Sequence, residues 1–396
     1  MPWKTRNALE RRNEFITEWL KDERTFTELC RLFSIARKTG YACVRRFEES
    51  GRAGLQERSR APHHSSQAIS ESVAAAIIAE RQKRQTWGAR KIRLFVQREH
   101  PRVKWPAASS IGELLKREGL IQPSSARRKT PPYTQPLAHA EAPNQVWYAD
   151  FKGWFRCGDG TRCDPFTVTD AHSRYLLCCR ATDKADGPHV RAVMEAVFRQ
   201  NGMPEAIRTD NGSPFASRAP AGLSRLSMWW LQLGIRHERI EPGRPDQNGR
   251  HERTHRTLKQ ETASPPAANR SRQQQAFIGF EQMYNRERPH QALNGQRPAD
   301  VYAGSTRIFP ERLPELIYPS GVHLRRISQQ GSLRWRTERT FLSEVLARQT
   351  VGPLETEEEF FEVYYGPLLL GWFDGRSHLF APERPRPRRR KGEKTT

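Results

Sequence analysis

The chain has 396 residues, of which 67 are Lys or Arg and 44 are Asp or Glu, leaving a formal net charge of +23 at pH 7. That length holds roughly two to four domains, and so large a cationic excess points to a polyanionic partner, because neutralised phosphates release their condensed counterions. No apolar run approaches the ~18 residues of a membrane span, and the opening MPWKTRNALERR has no signal-peptide core, so a cytoplasmic, nucleic-acid-facing protein is expected, nucleoid-associated when bound.

Residues 1–62 predict a helix-turn-helix DNA-binding domain. Phe15, Ile16, Trp19 and Leu20 mark one face of a first helix. TFTELCRLF supplies a short second helix with Thr25 or Thr27 as cap and Leu29, Leu32 and Phe33 inward. SIARKTGYACVRRFEE then gives a turn and a recognition-type helix. There Tyr41, Val44 and Phe47 are expected to pack inward, while Arg37, Lys38, Arg45 and Arg46 face DNA. Ser34 and Ala36 stand where a glycine and a capping serine would make the motif stronger. Residues 66–122 predict a second helical DNA-binding module, with Arg90, Lys91 and Arg93 as phosphate contacts and Gly119 as a helix stop. The Pro/Ser/basic stretch 123–142 reads as a linker.

From 143 to 303 strands and helices mix. A strand around 145–152 is followed by FTVTDAH and RYLLCCRAT, then by the amphipathic helix GPHVRAVMEAVFRQNG, the strand EAIRTD, the helix LSRLSMWWLQLG and the strand IRHERI. Residues 312–380 change character again. Alternating apolar and polar residues, many aromatics and a Gln330-Gly331 turn predict a small β-barrel with Arg325, Arg326, Arg334, Arg336 and Arg339 on a basic face. The basic segment 381–396 is expected to be disordered. No cysteine pair has zinc-finger spacing, and Cys178-Cys179 reads as strand core.

Three carboxylates stand out. Asp150 lies in the aromatic strand VWYADFKGWF, Asp210 closes a strand and opens the turn TDNGSPF, and Glu252 lies where PGRPDQNG hands over to a helix. Each alone has an ordinary reading: a strand-edge aspartate, a turn aspartate and a solvated helix glutamate. Glu252, Arg256 and Lys259 share a helix face at i, i+4 and i+7, which suits either a salt-bridge ladder or a surface for metal and phosphate together.

Taken together, VWYADFKGWF, TVTDAHSRYLL, RTDNGSPF, PGRPDQNGRHERTHRTLKQE and YNRERPHQAL resemble the catalytic core of DDE transposases from bacterial insertion sequences, relatives of retroviral integrases. The resemblance implies an RNase H-like core between N-terminal helix-turn-helix modules and a C-terminal β-barrel. It implies Asp150, Asp210 and Glu252 as catalytic metal ligands for a pair of divalent cations, Mg2+ or Mn2+, with Lys259 and Arg256 on DNA. The expected activity is binding of insertion-sequence ends, cleavage and strand transfer, without ATP, by a homo-oligomer assembled on double-stranded DNA. The competing readings are a catalytically inactive helix-turn-helix regulator and a nuclease without strand transfer. The interval from Asp210 to Glu252, 42 positions (252−210), is longer than is typical of the superfamily.

Overall fold

The computed structural model of the chain describes residues 8–57, 69–121, 140–241 and 249–384. The predicted linker and the basic tail therefore fall almost wholly outside the described residues. The chain divides into two compact units, 1–70 and 71–396.

The first unit is three helices, α1 (Ala8–Leu20), α2 (Phe26–Leu32) and α3 (Arg37–Ser50), closed by a 3-10 turn at Gly51–Leu55. Thr25 caps α2 in a reciprocal capping box with Glu28. Ser34 takes the left-handed conformation at φ 54°, so the turn is made without glycine. The glycine is instead Gly40 on α3, where a Cβ would lie 2.8 Å from the Cys30 sulfur; its absence lets α2 and α3 approach.

The inward face of α3 is Gly40, Cys43, Val44 and the half-buried Phe47, spaced at i, i+3, i+4 and i+7. Tyr41 falls off that stripe and is 60% exposed, and Leu20 and Leu32 also face outward, which corrects the inward placement expected for all three. Leu29, Phe33, Phe15 and Ile16 form the core as expected.

In the second unit α4 (Glu71–Lys83), α5 (Ala89–Glu99) and α6 (Ala108–Arg117) pack around Ile77, Ile92, Val96, Ile111 and Leu115. Gly119 ends α6 with φ 69° and donates its N–H to the Lys116 carbonyl. This helical module and the mixed αβ region after residue 140 belong to one compact unit. Arg84–Glu287 at 2.7 Å and Arg98–Asp300 at 2.6 Å join the two.

A mixed sheet forms the centre. Its strands are β1 (Val146–Phe151), β2 (Phe155–Arg156), β3 (Arg162–Asp170), β4 (Leu176–Thr182), β5 (Ala206–Thr209) and β6 (Arg236–Arg239). They run in the order β4-β3-β1-β5-β6, with the short β2, absent from the expected elements, beside the start of β3. β1 pairs antiparallel with β3 and parallel with β5, which pairs parallel with β6. The helices are α7 (Gly187–Asn201), α8 (Arg225–Gln232), α9 (Gly249–Thr262), α10 (Arg270–Arg286) and the short α11 (Pro298–Val301).

Alternation along β1 sorts the two faces. Trp147 and Ala149 enter a core with α7 and α8 residues such as Met194, Phe198 and Trp230. Tyr148 and Asp150 fall on the opposite face, where α9 lies, as the contact of the Tyr148 and His251 rings shows. α10 covers the outer edge of the sheet. The Gln274 side-chain amide bonds both Ala181 N–H and Cys179 C=O, and Asn285 does the same for Leu176, so two side chains occupy edge groups of β4 that would otherwise invite another strand.

After the core come β7 (Arg325–Arg326), β8 (Ser332–Trp335), β9 (Glu338–Phe341), β10 (Thr350–Glu357), β11 (Phe360–Tyr365), β12 (Leu368–Asp374) and β13 (Leu379–Ala381). They make a curled five-stranded sheet, β13-β12-β11-β10-β7, and a separate β8–β9 hairpin. β8 touches β7 and β9 touches β13, so the hairpin spans the two sheet edges, but the hydrogen-bonded ladder does not run around a closed barrel as expected. Its core also takes in Leu223 and Met228, so this sheet is packed on α8 and the turn before it. The five arginines named above are all exposed.

Candidate active site

Asp150 and Asp210 come from neighbouring parallel strands. Tyr148 on β1 pairs with Arg208 on β5, and each aspartate follows two residues later, which brings both to the carboxyl end of the sheet at the same level. The open sheet places its loops at that end, the usual location of ligands in such folds. Both aspartates are half-buried. Asp210 is the first residue beyond β5, and its Oδ1 accepts the Gly212 N–H at 3.1 Å, so the Asp-Asn-Gly word forms the turn expected from its composition. Asn211 ties the same turn to the residue that follows β6, donating to the Ile240 carbonyl at 2.6 Å.

Beneath the pair, Arg208 is 5% exposed and donates to Glu238 at 2.6 Å and to the Tyr148 hydroxyl at 2.9 Å. A buried guanidinium is costly unless its charge and its donors are matched, and this arrangement supplies both to a rigid platform directly under the aspartates.

Glu252 lies in the first turn of α9 and is exposed, as are Arg256 and Lys259 on the same face. What sequence reasoning missed is the other face of that helix. His251 and His255 are 1% and 5% exposed and point into the sheet. The Thr167 hydroxyl on β3 is 2.8 Å from His251 Nε2 and 2.7 Å from His255 Nε2, and the Thr169 hydroxyl is 2.9 Å from His251 Nδ1. One assignment satisfies the contacts. Thr167 donates to the Asp150 carbonyl at 3.3 Å, His251 and His255 each donate an Nε2–H to the Thr167 oxygen, and Thr169 donates to His251 Nδ1. The signal is present in the sequence as an i, i+4 histidine pair in HERTH opposite the alternating threonines of FTVTD.

Asp150, His251 and His255 have one ligand atom each within 4.8 Å of one another, and among the described residues they are the only such group of three. Asp210 and Glu252 stand outside that group. Asp150 belongs to that group, and the β1–β5 register sets Asp210 at the same end of the neighbouring strand. The carboxylates are hard oxygen donors of the kind Mg2+ takes. The imidazoles are already engaged with hydroxyls and serve as the polar lock between α9 and β3.

Burial holds both imidazoles neutral. It lowers His251 to about 3, and it lowers His255 as well, with His251 and Lys152 adding to the effect. His290 is likewise lowered to about 3 and His237 to about 4, burial being the main cause in each. A base whose folded pKa lies below its unfolded value binds more protons when unfolded, so its contribution is complete above the unfolded pKa and declines as pH falls toward the folded one. For His251 that window runs from 6.5 down to about 3. The expected outcome is a lower thermal midpoint at pH 5 than at pH 7.5, with about 2 kcal/mol lost per such histidine. Equal midpoints in differential scanning calorimetry would contradict the neutral buried pair.

The other predicted contacts divide. Arg37, Lys38 and Arg45 are exposed on α3, whereas Arg46 is half-buried and donates to the Gln56 carbonyl of its own unit. Arg90 is exposed. Lys91 is half-buried beside Arg288 and Glu261, and burial followed by the Arg288 charge lowers it to about 8. Arg93 is half-buried, with its Nε fully enclosed. Glu261, the other glutamate of α9, is engaged with Arg288 at 2.7 Å and with the Thr86 hydroxyl at 2.5 Å.

Two family profiles described as integrase core domain match residues 140–245 and 233–298. A helix-turn-helix profile matches 11–63, and a homeodomain-like profile matches 39–115. The insertion element IS407 uncharacterized 31.7 kDa protein of Burkholderia multivorans is 28% identical over 251 residues, spanning 62% of this chain and 87% of the relative. The insertion element IS476 uncharacterized 39.2 kDa protein of Xanthomonas euvesicatoria is 26% identical over 239 residues, spanning 59% of this chain and 65% of its own length. Among solved structures, the HTLV-2 integrase catalytic core in complex with magnesium is similar at 16% identity and a TM-score of 0.33, covering 41% of this chain and 97% of that one. An integrase core domain thus follows helix-turn-helix domains in a chain that is similar to proteins of bacterial insertion elements.

Proposed function

We propose that the protein binds the ends of its insertion sequence, cleaves them and joins the 3′-ends to target DNA. The observation that carries this reading is the placement of Asp150 and Asp210 at the same end of adjacent parallel strands, within the segment matched by the integrase core profile. Their oxygens and that of Glu252 fit Mg2+ or Mn2+, and these three residues would hold two ions. Ions held there would make a water or a DNA 3′-hydroxyl nucleophilic and would stabilise the departing oxygen.

The remaining work falls to the chain itself. The threonine–histidine lock fixes the rotation of α9, so that Glu252, Arg256 and Lys259 face outward together. Lys259 offers a point charge to a phosphate near the carboxylates. The helix-turn-helix unit supplies duplex recognition, with Arg37 and Lys38 at the start of α3 on backbone phosphates. The protein acts as a homo-oligomer on double-stranded DNA and needs no ATP.

The test is incubation of the full chain with duplexes carrying the terminal inverted repeats of its own element, in Mg2+ and in excess chelator. Cleaved and joined products from repeat-bearing DNA in Mg2+ alone are expected. Binding without products would favour the inactive regulator, and cleavage without joining would favour a nuclease. In the same DNA, Arg37→Ala with Lys38→Ala should lower the slope of log affinity against log salt by about 2, one for each lost phosphate contact. An unchanged slope in gel-shift titrations would remove α3 from the DNA interface.

A further inference from the structure

β1 and β2 are joined by Lys152-Gly153-Trp154, a turn anchored by the Lys152 N–H on the Pro165 carbonyl at 2.9 Å. Gly153 sits at φ 86°, where a side chain would be strained. The turn holds Trp154 out into solvent, 55% exposed. Tryptophan is among the most costly side chains to leave in water, and no other indole is among the exposed large hydrophobics of the described residues. Arg156 and Arg162 lie 5.8 and 5.2 Å from its ring centroid, and Asp164 pins Arg162 at 2.6 Å.

Beside the indole is a cavity of about 130 Å³. Its apolar lining includes Phe155, Leu258 and Phe277, and both Lys152 and Lys259 contribute to its wall. Lys152 follows Asp150 by two residues and Lys259 follows Glu252 by seven. A flat aromatic surface, an apolar recess and cations without a carboxylate in the lining are complementary to one ligand chemistry: a planar base carrying a phosphate. Stacking on an aromatic ring is how unpaired bases are held without regard to sequence, and lysines track the backbone beside them.

We propose that Trp154, Lys152 and Lys259 form a nucleotide subsite that takes an unpaired base of the DNA strand at the cleaved end, stacking it on the indole and holding its phosphate on the two lysines. The proposal rests on the transposase reading and assigns the strand a position next to the carboxylates. A base inside a duplex has both faces covered and a terminal pair has only its outer face free, whereas an overhanging base can enter the recess with its own phosphate, so the subsite favours ends that are frayed or carry an overhang.

The test uses the full chain in Ca2+, with inverted-repeat duplexes ending either blunt or in a three-nucleotide overhang. The wild type should prefer the overhang by about 10-fold, in the range of one stacked base. Trp154→Phe should keep most of that ratio, and Trp154→Ala should bring it close to one. In the wild type, 5-iodouracil in the overhang should photocrosslink to the peptide containing Trp154. Crosslinking to another segment, or a preserved ratio in a Trp154→Ala protein with native circular dichroism, would overturn the subsite even if the protein cleaves and joins its ends. A chain that binds neither duplex would overturn the transposase reading and the subsite with it.

Discussion

Asp150→Asn, Asp210→Asn and Glu252→Gln should each lower cleavage and joining by about three orders of magnitude or more, while end binding and thermal stability stay near wild type. Each change keeps the side-chain shape and removes the charge that attracts a hard cation. None of the three disturbs the apolar core, because Asp150 and Asp210 are only half-buried and Glu252 is exposed. Since the mechanism needs the ligands together, a double substitution should be no worse than the poorer single one. The measurement is single-turnover cleavage of repeat-bearing DNA beside a gel shift of the same DNA. Near-normal activity in Glu252→Gln, with both aspartate variants inactive, would move the third ligand elsewhere. Glu261 would then have to leave Arg288 and Thr86 to serve.

The second large effect is expected at a residue that touches neither DNA nor metal. Thr167→Val preserves shape but removes the hydroxyl that His251 and His255 share. Two buried imidazole nitrogens lose their partner, a cost of about 2–3 kcal/mol. Removing the lock also frees the rotation of α9, which carries Glu252 and Lys259, so joining should fall more than duplex binding does. Thr167→Ser restores the hydroxyl and should recover both properties. A thermal midpoint and a joining rate equal to wild type in Thr167→Val would show that the lock holds nothing.

Much of this architecture is legible in the sequence because local rules and tertiary context agree. Asp186 caps α7 on the His189 N–H, Pro188 opens the helix and Gly202 ends it at φ 75°, each in the place its backbone chemistry favours. Thr25 and Glu28 announce α2 in the same way. The two aspartates are readable because each adjoins a strand rich in β-branched or aromatic residues, and the register between β1 and β5 aligns them.

Elsewhere a small rotation or a distant partner decides the outcome. Tyr41 is one residue from the buried Gly40, and that single step carries its side chain out of the core. β2 has only two residues, too few to show a period. Lys91 looks like a phosphate contact in its own helix, and only the packing of α5 near Glu261 and Arg288 turns it inward. His251 and His255 look like solvated residues of a polar helix until β3 presents two threonines to them. The closed barrel fails for a similar reason: alternation predicts strands, but closure depends on whether the first and last strands reach each other.

The most direct measurement is the anomalous difference density of Mn2+ in crystals of the protein bound to its cleaved DNA end. Density is expected between Asp150 and Asp210 with Glu252 as a further ligand, and His251 and His255 still on Thr167. Density centred on Asp150, His251 and His255, with Asp210 and Glu252 left free, would contradict that placement.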